Sequence, residues 1–236
     1  MKSTPRSVLL PVLLAGAALT SAAAVTVAAQ AAKPPMAGPW RALFDGKTLD
    51  AWRTYKSDAP PQKWEVKDGV LTKEGNASDL ISRDEFGDFE LEVDWKIGEA
   101  GNSGIFYRGT EEYNAIYWSA PEYQLLDNIK ADDNKQPNHL AGSVYDLYDA
   151  PADAVKPLGE WNQTRILARG NHIEHWLNGR KIAEYDLGSA DWNAKLAASK
   201  FKGYPNFARA PKGHLGIQGN HPGSLALRNI RVRDLR

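Results

Sequence analysis

The run DFELEVDWKI, residues 88–97, alternates without a break. Phe89, Leu91, Val93, Trp95 and Ile97 fall on one side, and Glu90, Glu92, Asp94 and Lys96 on the other. A period of two with one apolar side predicts a strand that buries one face and leaves the other in solvent. PEYQLLDN, residues 121–128, has the same period, with Tyr123 and Leu125 on one face and Glu122, Gln124 and Leu126 on the other. WEVKDGVLTK and HIEHWLNGRKIAEYDL read as hairpins turned at Asp68-Gly69 and Asn178-Gly179, pairs suited to a turn that needs positive φ. SGIFYRG, SVYDLY, NQTRILARG, HLGIQ and SLALRNIRVRDL read as further strands. One segment departs from the pattern. SADWNAKLAASKF offers Ser189 as an N-cap, Asp191 in the first turn and an Ala/Leu/Lys composition, which predicts a single short helix near 189–201. No repeat of blade length is present, which argues against a propeller, so the expected class is all-β, a sandwich or jelly roll.

Composition narrows this picture. Lys and Arg total 29 against 29 Asp and Glu, so the formal net charge is zero. That argues against a surface that works by displacing counterions from nucleic acid or an anionic membrane. The absence of Cys removes disulfides, thiolate–metal sites and a lipoprotein anchor. At the N-terminus, Lys2 and Arg6 precede a long uncharged Ala-rich stretch, and Ala29-Gln-Ala31 matches a small-residue cleavage pattern. The expected organisation is a signal peptide over 1–31, a Pro-rich tether over 32–39 and one domain over 40–236, periplasmic or secreted and free of the membrane after cleavage. An uncleaved membrane anchor is the alternative.

The pieces FDGKTLDAW, WEVKDGVL, DFELEVDWK, GNSGIFYRG, PEYQLLDN, EWNQTRI, LNGRKIAEY, GHLGIQGN and LALRNIRVRDL occur in that order between Trp40 and Arg236. Together they resemble the 3-keto-disaccharide hydrolase family. The resemblance implies a concanavalin-A-like jelly roll with a sugar site on its concave face. It also implies a carbohydrate substrate already oxidised at C3, and therefore functional coupling to a sugar 3-dehydrogenase. The C3 ketone acidifies the C2 proton, so a base can form an enediolate that expels the C1 substituent, and hydration completes a net hydrolysis. Such chemistry needs a base near C2, an electrophile at the C3 oxygen and an acid for the leaving group. A divalent metal at the ketone would fit it. No local ligand spacing in the sequence supports one.

Against that chemistry, Glu122 and Gln124 leave one face of one strand and suit a base beside a hydrogen-bonding positioner, or else a solvated sheet face. A retaining mechanism on this strand lacks its second carboxylate. Arg108, on the Phe106 face, is expected either at the C3 oxygen or in a salt bridge to a strand carboxylate. His221, in the loop GNHPGS beyond Gln218, is expected at the rim of the cleft. Asn102 lies in a Gly-flanked turn, Asp127 and Asn128 close their strand as site residues or turn caps, and Trp161 is a sugar platform or a core residue. His172 and His175, three apart on a strand, face opposite ways and read as structural. The catalytic expectation is therefore Glu122, His221 and Arg108, with Gln124, Asn102, Asp127, Asn128, Trp161 and Gln218 binding substrate. The rival is a non-catalytic carbohydrate-binding module of the same fold.

Overall fold

A computed structural model describes residues 37–235, so the segment expected as an export signal and most of the expected tether lie outside the described residues. Among the described residues thirteen strands form two antiparallel sheets. The larger sheet orders β11 (Arg180–Asp186), β10 (His172–Leu177), β9 (Asn162–Arg169), β6 (Phe89–Ile97), β13 (Leu225–Asp234), β4 (Val70–Lys73) and β3 (Trp64–Lys67), with β1 (Arg41–Ala42) also on β13. The smaller sheet orders β2 (Trp52–Thr54), β5 (Leu80–Phe86), β12 (Gly213–Ile217), β7 (Asn102–Gly109) and β8 (Glu122–Leu126). No helix of the described residues is long and apolar enough to cross a membrane.

The core lies between the sheets, where Phe89, Leu91, Val93 and Trp95 of β6 meet Ile105 and Tyr107 of β7 and Tyr123 and Leu125 of β8. The outward face of β6 is an ion-pair ladder. Glu90 pairs with Arg165 and Arg233, Glu92 with Arg231, and Asp94 with Arg228. Both hairpin turns form as the sequence predicts, with φ of 52° and 78° at Asp68-Gly69 and 51° and 80° at Asn178-Gly179. The helix α1 (Ala190–Ala198) is capped by Ser189, whose hydroxyl accepts the Trp192 N–H at 3.1 Å.

One expected strand does not form, and one strand forms without the expected alternation. SVYDLY is a tight turn, held by the Tyr148 N–H to Val144 O bond at 2.9 Å, because Asp146 takes a left-handed φ of 61° and reverses the chain. Its first half instead lies along β8, where Gln124 N donates to Ser143 O and Tyr145 N donates to Glu122 O. The strand β5 has no clean alternation, since Arg83, Asp84 and Glu85 are three exposed residues in a row. It sits inside the smaller sheet nevertheless, between β2 and β12.

Candidate active site

The face of the smaller sheet turned away from the core is the floor of a cleft of about 280 Å³. Register builds that floor. Gln124 of β8 stands opposite Gly104 of β7, and Glu122 opposite Phe106, so Glu122, Gln124 and Asn102 share one face. Gln218 follows β12 directly, and its N–H donates to Gly104 O at 2.9 Å. Gly104 leaves room for the acid: a Cβ there would lie 2.0 Å from Glu122 Oε1. Gly216 and Gly109 are bare for a similar reason, since side chains there would meet Ile116 of the segment that closes over the sheet.

Glu122 is 5% exposed and Gln124 1%. Burial pushes the Glu122 carboxyl up to about 8, opposed chiefly by Lys200. The Gln124 amide is satisfied when its nitrogen donates to Ser103 O at 3.0 Å and to Glu122 Oε1 at 3.2 Å. A buried carboxylate therefore has one neutral donor beside it, on the same strand. The Gln218 Oε1 atom is buried with no protein partner.

His221 belongs to the cleft wall. Its loop is anchored from below by a buried lysine and a half-buried aspartate. Lys73, 1% exposed, donates to the carbonyls of Gly75 (3.0 Å), His221 (2.8 Å) and Gly223 (3.2 Å). Asp79 accepts the Gly219 and Asn220 N–H groups at 2.8 and 3.2 Å. Burial holds the His221 imidazole below its ordinary value, which favours its neutral form.

Three loops complete the wall with Asp133, Tyr145 and Lys200, while Tyr117 and Trp118 add aromatic surface. The Lys200 ammonium sits 4.1 Å from the Tyr145 ring centroid, and Trp118 stacks on Tyr204 at 4.0 Å. None of these was singled out from the sequence. Asp133 lies in an acidic surface-type loop, Tyr145 in the segment expected as a strand, and Lys200 at the end of the helical segment. No local spacing marks them.

Four expected site residues lie elsewhere. Arg108 is turned out of the cleft by a bulge: Phe106 and Gly109 pair with Gly216 and His214, so Tyr107 and Arg108 together oppose Leu215. With φ of 53°, Arg108 sends its guanidinium to Gly87 O (2.9 Å), Gly170 O (2.7 Å) and Asp88 (3.3 Å), the salt-bridge alternative. Asp127 caps turns, accepting from Ala100, Ile129 and Lys130 N–H groups. Asn128 accepts the Ala141 N–H at 2.8 Å. Both border a separate, more apolar cavity with Ile129 and Leu158 at its edge. Trp161 packs on the larger sheet's outward side beneath Arg228 and Lys96. His175 is buried in the core, bonded to Tyr107 and Gly142 O, and His172 is outward.

The fit to a metal is poor in the cleft. Among the described residues, the trio of His and carboxylate ligand atoms that converges within 4.8 Å is His172, Glu174 and Glu184, on the opposite side of the molecule and bridged by Lys181. Glu122, Asp133 and His221 do not converge in that way, and no step is assigned to a metal.

The model of the 3-keto-alpha-glucoside-1,2-lyase-like domain family matches residues 39–233. A 3-keto-disaccharide hydrolase of Bacteroides thetaiotaomicron is 35% identical over 229 residues, 82% of this chain and 77% of that one. A Parabacteroides distasonis protein described as a glycosyl hydrolase superposes with a TM-score of 0.78 at 30% identity, over 84% of this chain and 94% of that one. A Bacillus subtilis protein with a galectin-like fold matches with a TM-score of 0.54 at 13% identity, covering 84% and 96%, a likeness of fold alone. The two antiparallel sheets are thus a jelly-roll sandwich. Since the family model spans nearly all of the described residues, the chain belongs to the 3-keto-alpha-glucoside-1,2-lyase-like family.

Proposed function

We propose that this protein cleaves 3-keto-glycosides by elimination across C1 and C2 followed by hydration, with Glu122 as the base. The observation that carries the reading is Glu122 itself: a buried carboxylate on a cleft floor, with the Gln124 amide beside it and a glycine beneath it. Desolvation raises the basicity of a carboxylate, which suits it to a carbon acid activated by a neighbouring ketone. Glu122 takes the C2 proton, and the C–H electron pair forms the C2–C3 enediolate. Collapse restores the C3 carbonyl, makes C1=C2 and expels the C1 oxygen.

His221 takes the role at the C3 oxygen that the sequence assigned to Arg108. A neutral imidazole donates a hydrogen bond to an enediolate oxygen without a charge to neutralise. Asn102, Gln124 and Gln218 line the cleft as donors and acceptors for sugar hydroxyls, and the unpaired Gln218 Oε1 is ready to accept one. The name of the Bacteroides relative supports the substrate class. An oxidised substrate in turn implies a sugar 3-dehydrogenase acting before this enzyme. Export to the periplasm or the medium completes the proposal, on the basic and Ala-rich N-terminal pattern.

The test compares native and 3-keto disaccharides with wild type and Glu122→Gln. Wild type is expected to release the second sugar from the oxidised substrate alone. Glu122→Gln keeps size and hydrogen bonding, and its turnover is expected to fall by roughly 10²–10⁴-fold with binding retained. Wild-type turnover in the variant would remove Glu122 as the base. Binding without turnover of either substrate by the wild type would favour the carbohydrate-binding module.

A further inference from the structure

The base at C2 and the donor at C3 leave one demand of the reaction unmet, a group that handles the proton of the glycosidic oxygen. Asp133 lines the same cleft as Glu122, and its side chain is 31% exposed. Behind it His139, 13% exposed, is hydrogen-bonded through Nδ1 to Asp133 Oδ1 at 2.8 Å. The other ring nitrogen, Nε2, lies 3.5 Å from Asp146 Oδ1. The imidazole stacks on Tyr145 with centroids 4.4 Å apart and an interplanar angle of 22°.

Asp146 is aimed at this ring by a left-handed backbone, and its second oxygen accepts the Lys200 N–H at 2.8 Å. Burial and the adjacent Asp133 keep the Tyr145 hydroxyl protonated. The arrangement is a carboxylate, an imidazole and a second carboxylate in line, ending on the cleft, with the imidazole fixed in plane by an aromatic ring. A loop staple needs only one of those contacts. A group that exchanges protons with substrate needs its carboxylate oriented and its proton shared with a second titratable group.

We propose that Asp133, positioned by His139, is the acid–base group for the glycosidic oxygen. The assignment rests on the elimination–hydration reading. In the first step the proton held by the Asp133–His139 pair passes to the glycosidic oxygen as the C1–O bond breaks, while Glu122 holds the C2 proton. In the second step water adds its oxygen to C1 and gives a proton to the pair, and Glu122 returns its proton to C2. Both groups are then back in their starting states, and the sum is hydrolysis with no external acid or base. Asp133 is a catalytic residue in this scheme, and His139 is a positioning residue.

Leaving-group dependence tests it. Wild type, Asp133→Asn and His139→Gln are assayed on a 3-keto disaccharide and on a 3-keto glucoside of 4-nitrophenol, whose anion leaves without protonation. Asp133→Asn keeps the acceptor for His139 but cannot transfer a proton. Its kcat/KM on the disaccharide is expected to fall roughly 10²–10³-fold, and on the nitrophenyl substrate no more than about tenfold. His139→Gln is expected to show a smaller loss with the same bias, and a thermal melt of each variant registers any loss of fold. Equal losses on both substrates, or no loss on either, would overturn the role of Asp133 and leave Glu122 as the base. A wild type that cleaves neither 3-keto substrate would overturn both assignments.

Discussion

As the proposed base, Glu122 sets function against stability at a single residue. Its carboxyl titrates near 4.5 when exposed and near 8 in the fold. Below pH 4.5 both states are protonated and the group costs nothing. Between 4.5 and 8 the folded chain keeps a proton that the unfolded chain has lost, so stability falls as pH rises, and the full cost is present above 8. Glu122→Gln removes that term. Its melting temperature is expected to match wild type at pH 4 and to exceed it at pH 8, where removing that cost is worth on the order of 4 kcal/mol of stability. Activity has the opposite slope. In the proposed reaction only the ionised Glu122 takes the C2 proton, so kcat/KM of the wild type on a 3-keto substrate is expected to rise as pH passes through about 8. A pH-independent melting difference would mean that the carboxyl is not held protonated by burial.

At the scale of elements, the cleft floor is made by register. β8 presents Glu122 and Gln124 together because alternation requires it, and β7 answers with Gly104 because nothing larger fits under the carboxylate. Gly104 has a negative φ, so alanine there is opposed by contact alone. Gly104→Ala is expected to push the carboxyl out of place, lowering turnover about 10²-fold for a stability cost of about 1–2 kcal/mol. Kinetics and melts on the same preparation check both parts. The bulge in β7 does the reverse for Arg108, since one extra residue changes the side from which it leaves the strand. Arg108 thereby ties β7 to the turns at Gly87 and Gly170.

Across the whole molecule, the core carries a polar chain from one sheet to the cleft wall. Tyr185 and Tyr107 share a hydroxyl–hydroxyl bond, Tyr107 OH meets His175 Nε2 at 2.9 Å, and His175 Nδ1 donates to Gly142 O at 3.1 Å. Gly142 begins the segment that lies along β8 and leads to Tyr145. Burial depresses the His175 imidazole from 6.5 to about 4. The unfolded chain therefore binds more protons than the folded one between those values. Its contribution to stability is present above pH 6.5 and lost as pH falls through 4. His175→Gln is expected to cost about 2 kcal/mol at pH 7 and to lose less between pH 6.5 and 4 than wild type does, as read from urea midpoints at several pH values.

What the sequence determined by itself was whatever depends on neighbours within a few residues. Alternation set the two faces of β6 and the shared face of Glu122 and Gln124, Asp-Gly and Asn-Gly set the two hairpin turns, and Ser189 set the start of α1. The order of its motifs also carried the family. The tertiary structure decided the rest. Asp133, Tyr145 and Lys200 meet Glu122 only because three loops close over one sheet. Trp161 is covered by cations from two other strands, β6 and β13. Arg108 leaves the cleft because β7 and β12 pair out of step. The basicity of Glu122 comes from burial, to which segments far apart in the chain contribute and which no single segment encodes. Local periodicity specifies which face a side chain leaves, whereas only long-range packing specifies what that face meets.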